Sequence, residues 1–167
     1  MCGISGIVKL AINDDEALYA PIERMNQALA HRGPDDEGIW VEGSIALGHR
    51  RLSIIDLSSA GHQPMLNPDG NLVLVFNGEI YNFRALKAEL SDYPFQSGSD
   101  TEVILAAYTR WGVDCLKKFN GMFAFALWDR QKQCLLLARD HLGIKPLYLF
   151  EQAEKVLAEI KSLAENT

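Results

Sequence analysis

A chain of 167 residues, 48% of them hydrophobic, can close one domain around a substantial core and is too short to expect two. No apolar run reaches the roughly 18 residues of a membrane span, and the N-terminus lacks the basic, apolar and small-residue zones of a signal peptide, so a cytoplasmic location without a membrane partner is expected. The net charge of -6 argues against a nucleic-acid surface, which needs clustered Lys and Arg to displace counterions, and the pair Arg50-Arg51 is too small for that footprint.

Taken in chain order, residues 4–10 read as a strand that ties the N-terminus into a sheet almost at its first residue. From 17 to 30 the apolar positions Leu18, Ile22, Met25 and Leu29 follow helical spacing, and His31-Arg-Gly-Pro-Asp35 supplies strong breakers. Residues 39–41 and 45–48 are short strand candidates, with 51–55 as a third apolar segment. Asn67-Pro-Asp-Gly70 has turn chemistry and opens into the apolar run 72–76, which suggests a strand covered on both faces and ended by Asn77-Gly78. Residues 83–90 form a short amphipathic helix, and Ser99-Asp-Thr-Glu102 has the capping-box form ahead of a helix over 101–111. Residues 121–128 and 134–138 read as a hairpin, 146–150 as a further strand and 158–164 as a final helix. Strands, then helices, then strands do not alternate regularly; two sheets packed face to face with helices outside would bury the apolar strands, so an α+β sandwich is expected.

Three cysteines, Cys2, Cys115 and Cys134, make no disulfide framework without an export signal, and Cys115 and Cys134 are expected to be buried thiols. The four histidines stand too far apart for a zinc site, so no metal is expected.

Cys2 has a property that no internal cysteine shares. An initiator Met before a small residue is ordinarily cleaved, which leaves the thiol beside a free α-amine. Such an amine titrates near about 8 and a thiol near about 8.5, so the amine can take the thiol proton at neutral pH. The competing view is that a cysteine at this position is an accident of sequence. Asn77-Gly78-Glu79 can present a side-chain amide and a backbone N–H as an oxyanion hole, or it can be a type I′ hairpin turn. Arg51 can offer a guanidinium fork to a carboxylate or sit in a surface ion pair. Asp100 can bind an ammonium group or help cap its helix. His31-Arg-Gly-Pro-Asp35 and Arg139-Asp-His-Leu-Gly143 are breaker-rich loops, equally good as site linings and as turns.

Met1-Cys-Gly-Ile-Ser-Gly-Ile7, His31-Arg-Gly-Pro-Asp35, Arg51-Leu-Ser-Ile-Ile-Asp56, Phe76-Asn-Gly-Glu-Ile-Tyr-Asn82, Ser97-Gly-Ser-Asp100 and Gly121-Met-Phe-Ala-Phe-Ala126 occur in that order. Together they resemble the N-terminal glutaminase domain of glutamine-hydrolysing asparagine synthetase, a class II glutamine amidotransferase with the N-terminal nucleophile hydrolase fold. The resemblance implies a four-layer αββα sandwich over residues 1–167, with Cys2 as nucleophile and Asn77 and Gly78 as oxyanion donors. It implies that Arg51 binds the glutamine α-carboxylate alongside Leu52, Ile54 and Ile55, and that Glu79 and Asp100 bind its α-ammonium. Glutamine and a synthetase domain or subunit that receives ammonia are the implied partners, with a homodimer compatible. No cofactor is implied for the glutaminase step; ATP and Mg belong to a synthetase domain, whose Ser-Gly-Gly-x-Asp-Ser loop does not occur in this sequence. Similar domains serve other acceptors, such as a surface polysaccharide sugar, and a non-catalytic glutamine-sensing or interaction domain is the alternative of a different class.

Overall fold

The structure, a computed structural model, describes residues 2–9, 15–152 and 155–159. Its elements run β1 (Gly3–Lys9), α1 (Glu16–Ala28), β2 (Asp36–Glu42), β3 (Ile45–Arg51), β4 (Met65–Leu66) and β5 (Leu72–Ile80). They continue with α2 (Phe83–Glu89), α3 (Asp100–Trp111), β6 (Gly121–Asp129), β7 (Cys134–Arg139), β8 (Tyr148–Gln152) and β9 (Lys155–Glu159). Two sheets result, one in the order β2-β3-β1-β9-β8 and one in the order β4-β5-β6-β7. Every strand pairing is antiparallel. Among the described residues no helix is long and apolar enough to cross a membrane.

Strand alternation sorts the apolar residues into three layers of packing. On one side of the first sheet, Ile7 and Ala46 meet Leu18 and Ile22 of α1. Between the sheets, Ile4, Ile45 and Leu47 meet Val73, Val75, Ala124, Ala126 and Trp128. On the far side, Leu72, Leu74, Phe76 and Ile80 of β5, with Phe123, Phe125 and Leu127 of β6, pack against α2 and α3. The order is therefore α1, sheet, sheet, then α2 with α3: the αββα sandwich. Burying each of these Val, Leu, Ile or Phe side chains contributes about 1.5–3 kcal/mol, and β5, buried on both faces as its apolar run suggested, supplies several.

Several expectations need correction. Asn77-Gly78 does not end its strand: β5 runs on to Ile80, paired residue for residue with β6 through Ile80 and Gly121. Glycine is required there by packing, since a Cβ on Gly78 would overlap the Met122 carbonyl and the Phe123 backbone. The segment 51–55 gives up only Arg51 to β3; the chain then leaves the sheet, and Ile54 is 72% exposed. Helix α1 stops at Ala28, and a 3-10 turn, Ala30–Arg32, carries the chain onward. The first two residues expected of the last helix, Ala158 and Glu159, lie in β9, where β1 and β8 supply partners on both edges and override helical propensity. The rest of that span lies outside the described residues, as does Leu10.

Only half of the capping box forms as drawn. Ser99 Oγ accepts from Glu102 N at 3.3 Å, but the Glu102 carboxylate turns away to accept from Gln96 N at 2.8 Å and Ser97 N at 2.7 Å.

Candidate active site

The alternation that builds the layer between the sheets also builds the site. Along β5, Val73 and Val75 face that layer, and the next residues of the same parity are Asn77 and Glu79. Along β3, Ile45 and Leu47 are followed by His49 and Arg51; on the first sheet, Cys2 precedes Ile4 by two. Where the apolar filling stops, polar groups begin. A cleft of about 110 Å³ opens at this end, the scale of a small metabolite and not of a polymer. It is lined by Cys2, Arg51, Leu52, Ile54 and Ile55 from one side and by Asn77, Gly78, Glu79 and Asp100 from the other. The residues to which the family resemblance assigned the glutamine site thus line one cleft, whereas the loops 31–35 and 139–143 supply no lining residue of their own.

Cys2 is half-buried. Its Sγ lies 3.4 Å from Leu52 N, from which it can accept, and 3.6 Å from Leu52 O, to which its S–H can donate. Arg32 Nε donates to the Cys2 carbonyl at 3.1 Å, so the breaker-rich loop after α1 anchors the residue's backbone. Asp35 in the same loop accepts from Ser53 N at 2.8 Å. The other thiols differ from Cys2. Cys115 is buried, and burial pushes its thiol up to about 12. Cys134, expected to be buried, is exposed, because β7 forms an edge of its sheet.

The free edge of β5 explains what Gly78 offers. Odd-numbered residues turn their backbone groups toward β6, as Arg130 N to Asn71 O at 2.9 Å and Tyr81 N to Asn120 O at 2.7 Å show at the two ends. Even-numbered N–H groups therefore point the other way. Leu72 N donates to Asn67 Oδ1 at 2.9 Å, Phe76 N to Gln63 Oε1 at 2.7 Å and Ile80 N to Asp100 Oδ2 at 2.9 Å. Gly78 N–H falls between the last two and is aimed along the cleft. Asn77 Nδ2 is buried in the cleft wall and finds no hydrogen-bond partner among the described residues. An unpaired buried donor costs about 1–3 kcal/mol, which a fold ordinarily avoids.

Charges are placed with equal definition. Asp100, the first residue of α3, is 4% exposed; burial raises its carboxyl to about 6, the Ile80 N–H works against that rise, and Glu79 nearby adds to it. A cation bound there would reverse the shift. Arg51 is 7% exposed, and its guanidinium donates to the Asp56 carbonyl and, at 2.9 Å, to the Ser58 carbonyl, so in this structure it holds the loop that follows it. Asp56 accepts in turn from Gly98 N at 3.0 Å, which joins that loop to the start of α3. No group of three or more His, Cys, Asp or Glu side chains placed to hold a metal ion occurs among the described residues.

Three residues escaped the sequence reading. Gln63 accepts from Phe76 N and donates to Thr101 Oγ1 at 3.3 Å, bolting β5 to α3 behind Asn77. His49 is fully buried and bridges the sheets by donating from Nε2 to the Phe76 carbonyl at 3.1 Å; burial lowers its pKa to about 4, so it is neutral at physiological pH. Lys145 lines the cleft at the end of the second breaker-rich loop. For Gln63 and His49 no local pattern marked them; for Lys145 the loop itself was the only signal.

A four-layer αββα sandwich whose first strand delivers a cysteine into a cleft beside amide donors is the architecture of the N-terminal nucleophile hydrolases. Known proteins narrow the class. The family model for the glutamine amidotransferase domain matches residues 1–167, and the chain belongs to that family. It is 42% identical over 98% of its length to the glutamine-hydrolysing asparagine synthetase 2 of Bacillus subtilis (strain 168), of which it covers 22%. It is 47% identical over 89% of its length to the glutamine-hydrolysing asparagine synthetase B of Escherichia coli (strain K12), of which it covers 27%. Among solved structures, the glutamine phosphoribosylpyrophosphate amidotransferase from B. subtilis complexed with ADP and GMP is similar in fold. The TM-score is 0.74 at 22% sequence identity, over 94% of this chain and 41% of that one.

Proposed function

We propose that this chain hydrolyses the side-chain amide of glutamine and supplies the ammonia to a synthetase domain or subunit of the asparagine synthetase type, in the cytoplasm. The observation that carries this reading is the meeting in one cleft of the Cys2 thiol, the Asn77 Nδ2 that has no partner among the described residues, and the Gly78 N–H that the strand's alternation turns away from β6. Removal of Met1 would expose the Cys2 α-amine. That amine, directly or through a water, takes the thiol proton as Sγ attacks the carboxamide carbon. The developing oxyanion is received by Asn77 Nδ2 and Gly78 N–H, donors already in place before charge appears. The α-amine returns the proton to the leaving nitrogen, ammonia departs, and water cleaves the γ-glutamyl thioester to glutamate and free thiol.

The remaining charges fit the amino-acid end of the substrate. Arg51, with N–H groups beyond those spent on its loop, pairs with the α-carboxylate, the backbone of 52–55 lies alongside, and Glu79 with Asp100 receives the α-ammonium. Thiol and oxyanion donors suffice for the chemistry, so hydrolysis is proposed to need neither ATP nor magnesium, which would serve the synthetase step. Glutamate release from glutamine by the chain with a free Cys2 α-amine tests the proposal. Release is expected to vanish in Cys2→Ala and in a preparation that retains Met1 or an N-terminal tag; full activity in either contradicts it.

A further inference from the structure

Lys145 is 5% exposed in the cleft that holds Cys2, an unusual setting for an ammonium group, which resists leaving water. The fold is built to deliver it there. Asp140, itself buried, accepts backbone bonds from Phe123 N at 3.1 Å, Leu142 N at 3.1 Å, Ile144 N at 2.9 Å and Lys145 N at 2.9 Å. One carboxylate thereby fastens the whole turn before Lys145 to β6, and Gly143, at φ +66°, closes it.

The groups that face this lysine come from several elements. Burial lowers its pKa most, Arg32 from the loop after α1 lowers it further, and Cys2, Asp140 and Glu79 pull it back up. Arg32 is also bonded to the Cys2 carbonyl. Arg32 thus holds the backbone of Cys2, and Lys145 lines the same cleft as its thiol. Glu79 of β5, Asp100 of α3, Arg51 of β3 and Asp56 of the loop after it complete the charged lining of the cleft.

A cation near a thiol and an amine acts on both: it attracts the thiolate and repels the ammonium. Whichever group keeps the remaining proton, the pair then loses the first of its two protons at a lower pH. We infer that Lys145 is an electrostatic positioning residue for Cys2, holding the thiol and α-amine in their singly protonated, reactive state at neutral pH. This role rests on Cys2 being the nucleophile and adds the group that sets its working pH.

The test is the pH dependence of Cys2 alkylation by iodoacetamide in the chain freed of Met1. A Cys134→Ser background removes the exposed thiol, while Cys115 is buried. Lys145→Met and Lys145→Gln are expected to move the half-maximal pH upward by about one unit, so that alkylation at neutral pH slows about tenfold. Lys145→Arg is expected to keep the parent profile, because it preserves charge and cannot serve as a base. The acid limb of kcat/KM for glutamine should shift with the alkylation profile, with KM little changed. Either neutral variant, melting like the parent and keeping its profile, overturns the role; so does an Arg variant shifted as far as the Met variant. Alkylation reads Cys2 without glutamine, which separates the two proposals. A shifted profile in a chain that releases no glutamate retains this role and removes the glutaminase reading, and an unshifted profile in an active chain does the reverse.

Discussion

The two ends of the layer between the sheets are made by the same strands under the same alternation, yet they are built on opposite terms. At one end Ile45, Leu47, Val73, Val75 and Ala124 are wholly buried among apolar neighbours. At the other, Cys2, Arg51, Asn77 and Glu79 occupy equivalent positions, with an amide donor left unpaired and the neighbouring Asp100 carboxyl raised to about 6. The first end contributes stability and no chemistry. Under the proposed function, the second gives up stability so that its groups wait in the geometry glutamine will need. The shared strands make the apolar end the rigid mount for the polar one.

Mutations should separate the ends. Leu47→Ala removes a fully buried side chain from the apolar end and is expected to cost about 2–5 kcal/mol in denaturant unfolding, while kcat of the folded protein stays near normal. Asn77→Ala should reverse that pattern: glutaminase kcat falls about 10²- to 10³-fold, KM changes modestly, and stability holds or rises because an unpaired buried donor is gone. Arg51→Ala should chiefly raise KM for glutamine, by about 1.5–3 kcal/mol of lost charge-assisted contact, with part of the effect passing through the loop it anchors at Ser58. An Asn77 variant of normal kcat beside an Arg51 variant of normal KM would erase the distinction between catalytic and binding ends of the cleft.

Asp100→Asn should give a smaller effect on the fold than Leu47→Ala and the most specific signature. The Asp100 carboxyl is raised from its ordinary 3.8 to about 6, mainly by burial, so its ionised form is disfavoured in the folded chain. The protonated group's contribution to stability is fully present below pH 3.8 and lost as pH rises through about 6. The amide that replaces the carboxyl cannot ionise, yet its oxygen can still accept from Ile80 N. Thermal melting should therefore find Asp100→Asn more stable than the parent at pH 8, by on the order of 1 kcal/mol, and equal to it near pH 4. Glutamine KM should rise in the same variant, since an uncharged amide cannot pair with an α-ammonium. Equal melting at both pH values, or an unchanged KM, breaks the link between strain and substrate binding.

The sequence made the catalytic candidates legible because their chemistry is local or their motifs are ordered. Cys2 stands out by position, and Asn77-Gly78, Arg51 and Asp100 by residue type within short patterns. The sandwich could be read because apolar runs and helical spacing are also local signals. What could not be read depends on distant partners. Gln63 and His49 acquire meaning only through Phe76 and Thr101, which lie far along the chain. The turn chemistry of Asn77-Gly78 was genuine local information, but a nine-residue strand paired along its length with β6 outweighed it. Residues 155–159 became a strand for the same reason, partners on both edges. The exposure of Cys134 could not be read because no local feature marks which strand will be the edge.

The central claim is that Cys2 forms a covalent bond to the glutamyl group in this cleft. Acid quenching of the Met1-free chain during turnover, followed by peptide mass analysis, reads that bond directly. The peptide beginning at Cys2 is expected to carry one glutamyl group, more of it when hydrolysis of the thioester is slowed, and none in Cys2→Ala. Glutamate release with Cys2 never modified, and with Cys2→Ala still active, would contradict it.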